Sequence, residues 1–237
     1  MRRIGLARVM SKRGWCSRSS AEGMIREGRV SVRGRIVRDP ETPTHESEPD
    51  IRLDGVIPDA QRRYLMLNKP RGLVTTAKDE RSRDTVYRCL EDAGGDWIAP
   101  VGRLDKASEG LLLFSNDPAW AASITDPASG PGKTYHVQVA SIPDEVMLRR
   151  MHDGVDDGGE RLAVSRVQLL RSGERNAWLE IELDEGRNRQ IRRILSALDI
   201  EVLRLVRVAI GSLVLGDLAK GAWRELSDIE VAALRGD

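Results

Sequence analysis

Apolar and polar positions recur with different periods along this chain, and each period predicts a different element. Near the start, Leu6, Val9 and Met10 share one helical face, with Arg8, Lys12 and Arg13 elsewhere around the helix and Gly14 as its stop. Ser19 stands three residues before Glu22, a capping-box spacing that predicts a second short helix ending near Gly28. Val30 and Val32 then alternate with polar residues, Arg33-Gly34 makes a tight turn, and Ile36-Val37 follow, the pattern of a β-hairpin. Two short helices and a hairpin form a compact unit ending near Asp54-Gly55. The polar, turn-rich run Pro58-Asp59-Ala60-Gln61-Arg62-Arg63 marks a linker. We therefore expect a small domain at residues 1–58, a linker at 59–63 and a larger domain at 64–237.

Three stretches of the larger region stand out. Tyr64 to Lys69, Pro70-Arg71-Gly72 and Leu73-Val74-Thr75-Thr76 read as strand, turn and strand. Next, the charged loop Gly102-Arg103-Leu104-Asp105-Lys106-Ala107-Ser108-Glu109-Gly110 runs straight into Leu111-Leu112-Leu113-Phe114, which predicts a buried strand. Arg103 and Asp105 lie two apart, so an extended backbone would put them on one side. Finally, Trp178 to Leu183 alternates apolar and acidic residues, a half-buried strand. Gly186-Arg187-Asn188-Arg189 then turns the chain into a helix with Ile191, Ile194, Leu195 and Leu198 facing a core. Four arginines crowd the start of that helix.

Composition narrows the function classes. The 237 residues are 40% hydrophobic, enough for a real core. No apolar run approaches the roughly 18 residues of a membrane span, and no signal-peptide core follows Met1-Arg2-Arg3, so we expect a cytoplasmic protein. Cys16 and Cys89 have no paired spacing, and His45, His136 and His152 stand apart, which argues against a disulfide framework or a metal centre. The net charge of +1 hides an asymmetry. Residues 1–38 hold eleven Lys or Arg against two Asp or Glu, a net of +9, and the remainder carries −8. A basic head on a near-balanced body suggests nucleic-acid binding.

The first unit resembles the alpha-L RNA-binding module through Ser17-Arg18, Ala21-Glu22, Ile25, Gly28-Arg29-Val30, Val32, Gly34 and Asp54-Gly55. Arg33 departs from the family's usual Asn at the turn. The larger region resembles the pseudouridine synthases that act on ribosomal RNA. The resemblance rests on Gly102-Arg103-Leu104-Asp105 with Ser108-Glu109-Gly110-Leu111-Leu112, and on Gly186-Arg187-Asn188-Arg189-Gln190-Ile191-Arg192-Arg193. Lys133-Thr134-Tyr135-His136-Val137, Ile210-Gly211 and the Gly221 to Leu226 segment extend it over nearly the whole chain. Phe114-Ser115 and Pro118 are slight departures. By this resemblance the fold is α+β, a small helix-helix-hairpin domain followed by a mixed, mostly antiparallel sheet with a central cleft.

The resemblance also implies roles. Asp105 matches the catalytic aspartate, Tyr135 a tyrosine that packs on the target base, and Arg192 the basic residue that pairs with the aspartate. Pseudouridine formation breaks a base–sugar C–N bond, turns the base over and rejoins it through carbon. This isomerisation requires no cofactor, and the sequence offers no Walker loop or Rossmann glycine fingerprint. The carboxylate can attack the ribose or the base, or remove a ribose proton. A phenol with an ordinary pKa of about 10 is a poor base for the final proton. The target uridine must leave its stack, and Arg103 is placed to fill the gap or hold the flipped backbone. Lys69, Arg187, Arg189 and Arg193, with Arg18, Arg29, Arg33 and Arg35 of the small module, are the expected RNA contacts. The expected partner is ribosomal RNA, 23S before 16S, free or in a pre-ribosomal particle, bound by a monomer. Alternatives are a transfer-RNA synthase and a non-catalytic ribosome-assembly factor.

Overall fold

The computed structural model describes residues 3–76, 82–95 and 97–235. Strand β1 (Arg3–Gly5) leads into helix α1 (Leu6–Lys12), which buries Leu6, Val9 and Met10 as their spacing predicts. Helix α2 (Arg18–Arg26) lays Ala21 and Ile25 against that face. Its cap is Ser17, whose Oγ accepts from the Ser20 N–H at 3.0 Å, so the expected Ser19–Glu22 box does not form. A capping residue must itself be non-helical; Ser17 is extended, whereas Ser19 already lies in the first turn. Strands β2 (Val30–Val32) and β3 (Arg35–Val37) form the expected hairpin. Its turn places both Arg33 (φ 51°) and Gly34 (φ 73°) in the left-handed region. Strand β4 (Pro43–His45) pairs with β1, and β5 (Ile51–Leu53) with the other edge of β2.

This fold changes the electrostatic picture. Residues 39–58 hold six acidic residues and one basic one, which reduces the net charge of residues 1–58 to +4. The acidic return packs on the basic head: Glu41 meets Arg18 at 3.0 Å, Asp54 meets Arg29 at 2.7 Å and Glu48 meets Arg33 at 2.7 Å. Arg8 and Arg35 are exposed and have no ion pair among the described residues.

The larger region contributes β6 (Tyr64–Lys69), β7 (Ala99–Val101), β8 (Glu109–Ser115), helix α3 (Pro118–Thr125), β9 (Lys133–Val139) and helix α4 (Glu145–Asp153). A small hairpin of β10 (Val155–Asp157) and β11 (Glu160–Leu162) follows. Then come β12 (Arg166–Ser172), β13 (Ala177–Leu183), helix α5 (Gln190–Ser196), β14 (Val202–Ile210), β15 (Leu213–Val214), β16 (Trp223–Glu225) and helix α6 (Asp228–Arg235). Nine strands form one sheet in the order β12-β13-β9-β14-β8-β6-β16, with β15 added to β14 and β7 to β8. Among its described pairings only β14 with β8 is parallel. The architecture is thus α+β with a mixed, mostly antiparallel sheet, as expected.

Strand β8 is buried along its whole length, which explains its continuous apolar run. Gly110 lets it approach β14: a Cβ there would lie 2.2 Å from the Arg207 carbonyl oxygen, and φ is +100°. The second strand expected at Leu73–Thr76 shrinks to one bridge between Val74 and Thr85. Both edges of β6 are already occupied, by β8 and β16, so a returning strand has no ladder to join there. Two apolar clusters flank the cleft. One combines Val137, Leu179 and Ile181 with Ile191 and Leu195 of α5; the other combines Leu111, Leu113 and Ile210 with Trp120 of α3. Arg62 ties the small unit to this body, donating to the Asn116 carbonyl at 2.6 Å and to the Lys12 carbonyl at 3.2 Å.

Candidate active site

The loop between β7 and β8 is held from beneath by its backbone. The Lys69 ammonium donates to the carbonyls of Pro70, Asp105 and Ser108 at 3.1, 3.2 and 2.8 Å. The Thr75 hydroxyl donates to the Leu104 carbonyl at 2.7 Å, and the Gly72 N–H to the Lys106 carbonyl at 2.8 Å. Leu104 is buried, while the Asp105 side chain keeps 38% exposure and faces the cleft. Lys69, expected to meet RNA, is 0% exposed and out of reach of any ligand. Burial pushes its ammonium down to about 8, against the opposing pull of Glu109 and Asp105. Just beyond the loop, burial alone would raise the Glu109 carboxyl, but Arg204 and Lys220 hold it below its ordinary value.

The cleft has a volume of about 460 Å³. Asp105, Tyr135 and Arg192 all line it, together with Arg103, Arg187 and Arg189. Tyr135 stands on β9 directly opposite Ile181 of β13 and Arg207 of β14. Arg103 is exposed at the lip. Opposite Asp105, the β13–α5 turn holds Arg189 in the left-handed region (φ 51°) and brings its guanidinium to 3.8 Å from the Asp105 carboxylate.

Arg192 differs from expectation. It makes no ion pair with Asp105; its Nη2 donates to the Ala107 carbonyl at 3.3 Å, and its buried Nε has no partner among the described residues. The turn geometry explains this, because left-handed Arg189 reaches across the cleft while Arg192, inside α5, leans on the loop backbone. Burial and the nearby Arg189 lower the Arg192 pKa from its usual high value, and Asp105 counteracts them.

The other expected RNA contacts are more engaged than their sequence suggests. Arg187 pairs with Glu160 and Glu185, both at 2.9 Å. Arg193 lies outside the cleft lining and pairs with Asp157 and Glu160. Arg18 and Arg29 sit in exposed ion pairs that RNA can compete for, Arg33 is tied to the buried carboxylate of Glu48, and Arg35 is open.

Two cations of the cleft lay outside the sequence expectations for the site. Lys133 and Arg207 line it, and neither has an ion pair among the described residues. Burial and the nearby Arg207 lower the Lys133 ammonium. Arg207 shares the inward side of β14 with Leu205 and Ala209. A charged residue at an apolar register position was the available signal.

Residues 63–197 match the family model described as RNA pseudouridylate synthase, and residues 4–48 match the S4 domain. An uncharacterized RNA pseudouridine synthase of Aquifex aeolicus (strain VF5) is 35% identical, with 99% of this chain and 94% of that protein covered. Ribosomal large subunit pseudouridine synthase B of Bacillus subtilis (strain 168) is 33% identical, covering 97% and 95%. The crystal structure of a pseudouridylate synthase superposes with a TM-score of 0.67 at 30% identity, over 98% of this chain and 99% of that one.

Proposed function

This chain belongs to the RNA pseudouridylate synthase family, and on that premise we propose that it isomerises a uridine of large-subunit ribosomal RNA, with Asp105 as the essential carboxylate. The convergence of Asp105, Tyr135 and Arg192 on one basic cleft is the observation that carries the proposal. The similarity to large-subunit synthases B of Bacillus subtilis and Pasteurella multocida supports 23S over 16S ribosomal RNA.

In this reading the S4-type module grips RNA backbone and the flipped uridine enters the cleft, its base against Tyr135. Arg103 occupies the space vacated in the RNA or holds its backbone. Asp105 takes the ribose carbon, attacks the base or removes a ribose proton. Arg189 keeps positive charge beside that carboxylate, and Arg192 braces the loop through Ala107. The free RNA or a pre-ribosomal particle in the cytoplasm is the substrate, met by a monomer.

The test is to map pseudouridines in ribosomal RNA from cells with and without the gene, beside transcripts treated with purified protein. One 23S position should lose its modification in the deletion and regain it in vitro. Loss confined to 16S or transfer RNA would overturn the large-subunit assignment.

A further inference from the structure

Arg207 is the charged residue of the cleft whose surroundings are hardest to explain by folding alone. It is 6% exposed, its Nε donates to the Leu111 carbonyl at 2.8 Å, and its buried Nη2 has no hydrogen-bond partner among the described residues. No described carboxylate pairs with it, and Lys133, another cation of the cleft wall, lies close enough to feel its charge. A guanidinium stripped of water and left without a counter-charge is costly for a fold to keep. Such a site makes sense where the missing charge arrives with the substrate.

Its position says which part of the substrate that is. Arg207 and Tyr135 are direct cross-strand partners with both side chains in the cleft wall, and Leu205 lies two residues along the same strand. A backbone phosphate, bulky and carried on its sugar, meets the exposed lip where Arg103 stands. A flat pyrimidine ring can reach the depth of Tyr135. We infer that Arg207 is a further catalytic residue, the cation that stabilises the uracil ring as an anion once it has been cut from the ribose. The inference rests on the proposed placement of the base against Tyr135.

The chemistry supplies such an anion. When the C1′–N1 bond breaks, its electron pair stays with the ring and spreads over N1 and the two carbonyl oxygens. The ribose C1′ is taken by an Asp105 oxygen, or the C2′ proton moves to that oxygen. After the ring turns, C5 supplies the electrons of the new C1′–C5 bond. Asp105 is released or returns its proton, C5 loses its hydrogen, and N1 gains one. Atoms and charge balance as an isomerisation. Donors already fixed where charge develops act mainly on the transition state, so they change the rate more than the affinity.

The test uses the full chain and an RNA that the parent modifies. Arg207→Met should slow single-turnover conversion at saturating RNA by about a hundredfold, the loss typical of one anion-stabilising donor. RNA affinity should stay unchanged, and Arg207→Lys should recover much of the rate. Matching losses of affinity and of unsaturated rate, with a normal rate at saturation, would make Arg207 a phosphate contact and overturn the inference. An unaltered Arg207→Met rate would do the same. A check on the parent needs no variant: barbiturate, a pyrimidine ring anionic at neutral pH, should inhibit more strongly than neutral uracil, and equal inhibition would refute the role. If the parent modifies only another RNA, the large-subunit proposal fails and the Arg207 test proceeds on that RNA.

Discussion

Replacing Lys69 by Met separates the cost of burying a charge from the benefit of placing a loop. The folded protein holds the Lys69 ammonium at about 8, against an ordinary value of 10.5. That gap corresponds to about 3 kcal/mol of destabilisation at neutral pH, relative to the same charge in water. Met removes the burden and keeps the apolar stem. It also deletes three hydrogen bonds to the carbonyls of Pro70, Asp105 and Ser108, each worth about 1.5–3 kcal/mol with a charged donor. The three bonds together outweigh the burial cost and leave a net stability loss at pH 7 of about 1.5–6 kcal/mol. The folded variant should also lose activity by about a hundredfold, because a loop displaced by about 1 Å misplaces the Asp105 carboxylate.

The pH dependence sharpens the test. Below pH 8 the ammonium is charged in both states and the full burial cost is present. From pH 8 towards 10.5 the folded protein has released a proton that the unfolded chain still holds, so the parent gains stability as pH rises. Arg, Asp and Glu terms common to both proteins cancel in the comparison. Urea unfolding of parent and Lys69→Met should show the difference moving in the parent's favour by about 2.5 kcal/mol between pH 7 and pH 10. A difference that stays constant with pH would show that Lys69 carries no buried charge. Full single-turnover activity in the variant would show that the loop does not depend on it.

Asp105→Asn should fold and bind RNA like the parent yet show no turnover in a tritium-release assay; substantial residual turnover would remove Asp105 from the chemistry. Because Arg8 and Arg35 are exposed cations of the first module with no ion pair among the described residues, the double change Arg8→Ala with Arg35→Ala should weaken RNA binding. It should also flatten the slope of log K against log salt by about 0.7–0.9 for each phosphate that is no longer neutralised, and an unchanged slope would place the grip elsewhere. Arg224, with the Ser227 N–H and hydroxyl, holds the Glu230 carboxyl down to about 2 from an ordinary 4.5. Glu230→Gln should therefore cost about 1–2 kcal/mol at pH 7 after allowance for its partial exposure. The difference from the parent should vanish as pH falls from 4.5 towards 2; a difference persisting at pH 2 would refute the electrostatic account.

Much of this molecule was legible in the order of its residues. Leu6, Val9 and Met10 announced the first helix, Val30 to Val37 the hairpin, and Leu111 to Phe114 a strand with no solvent face. Those features are local, since a period of two or of 3.6 writes the buried face into the sequence itself. The Asp105 loop and the arginine-rich helix start were likewise readable, because each is a contiguous motif. Asp105, Tyr135 and Arg192, far apart in the chain, could be grouped only through resemblance.

The fates of individual charges belonged to the tertiary structure. Nothing local says that Lys69 is sealed under a loop, that Glu48 folds back on Arg33, or that Arg189 rather than Arg192 is the cation within ion-pair distance of Asp105. Side-chain charge is written in the sequence. Its exposure and partners depend on segments tens of residues apart that meet only when the sheet closes. Arg207 shows the division most sharply: a strand's two-residue period puts it on one side with Leu205 and Ala209, but only the pairing of β14 with β9 and β8 turned that side inward and put Arg207 beside Tyr135 at the wall of a cleft. The sequence determines which side of a strand a residue occupies because that is a matter of backbone period, and the tertiary structure determines what faces it because that is a matter of which strands meet.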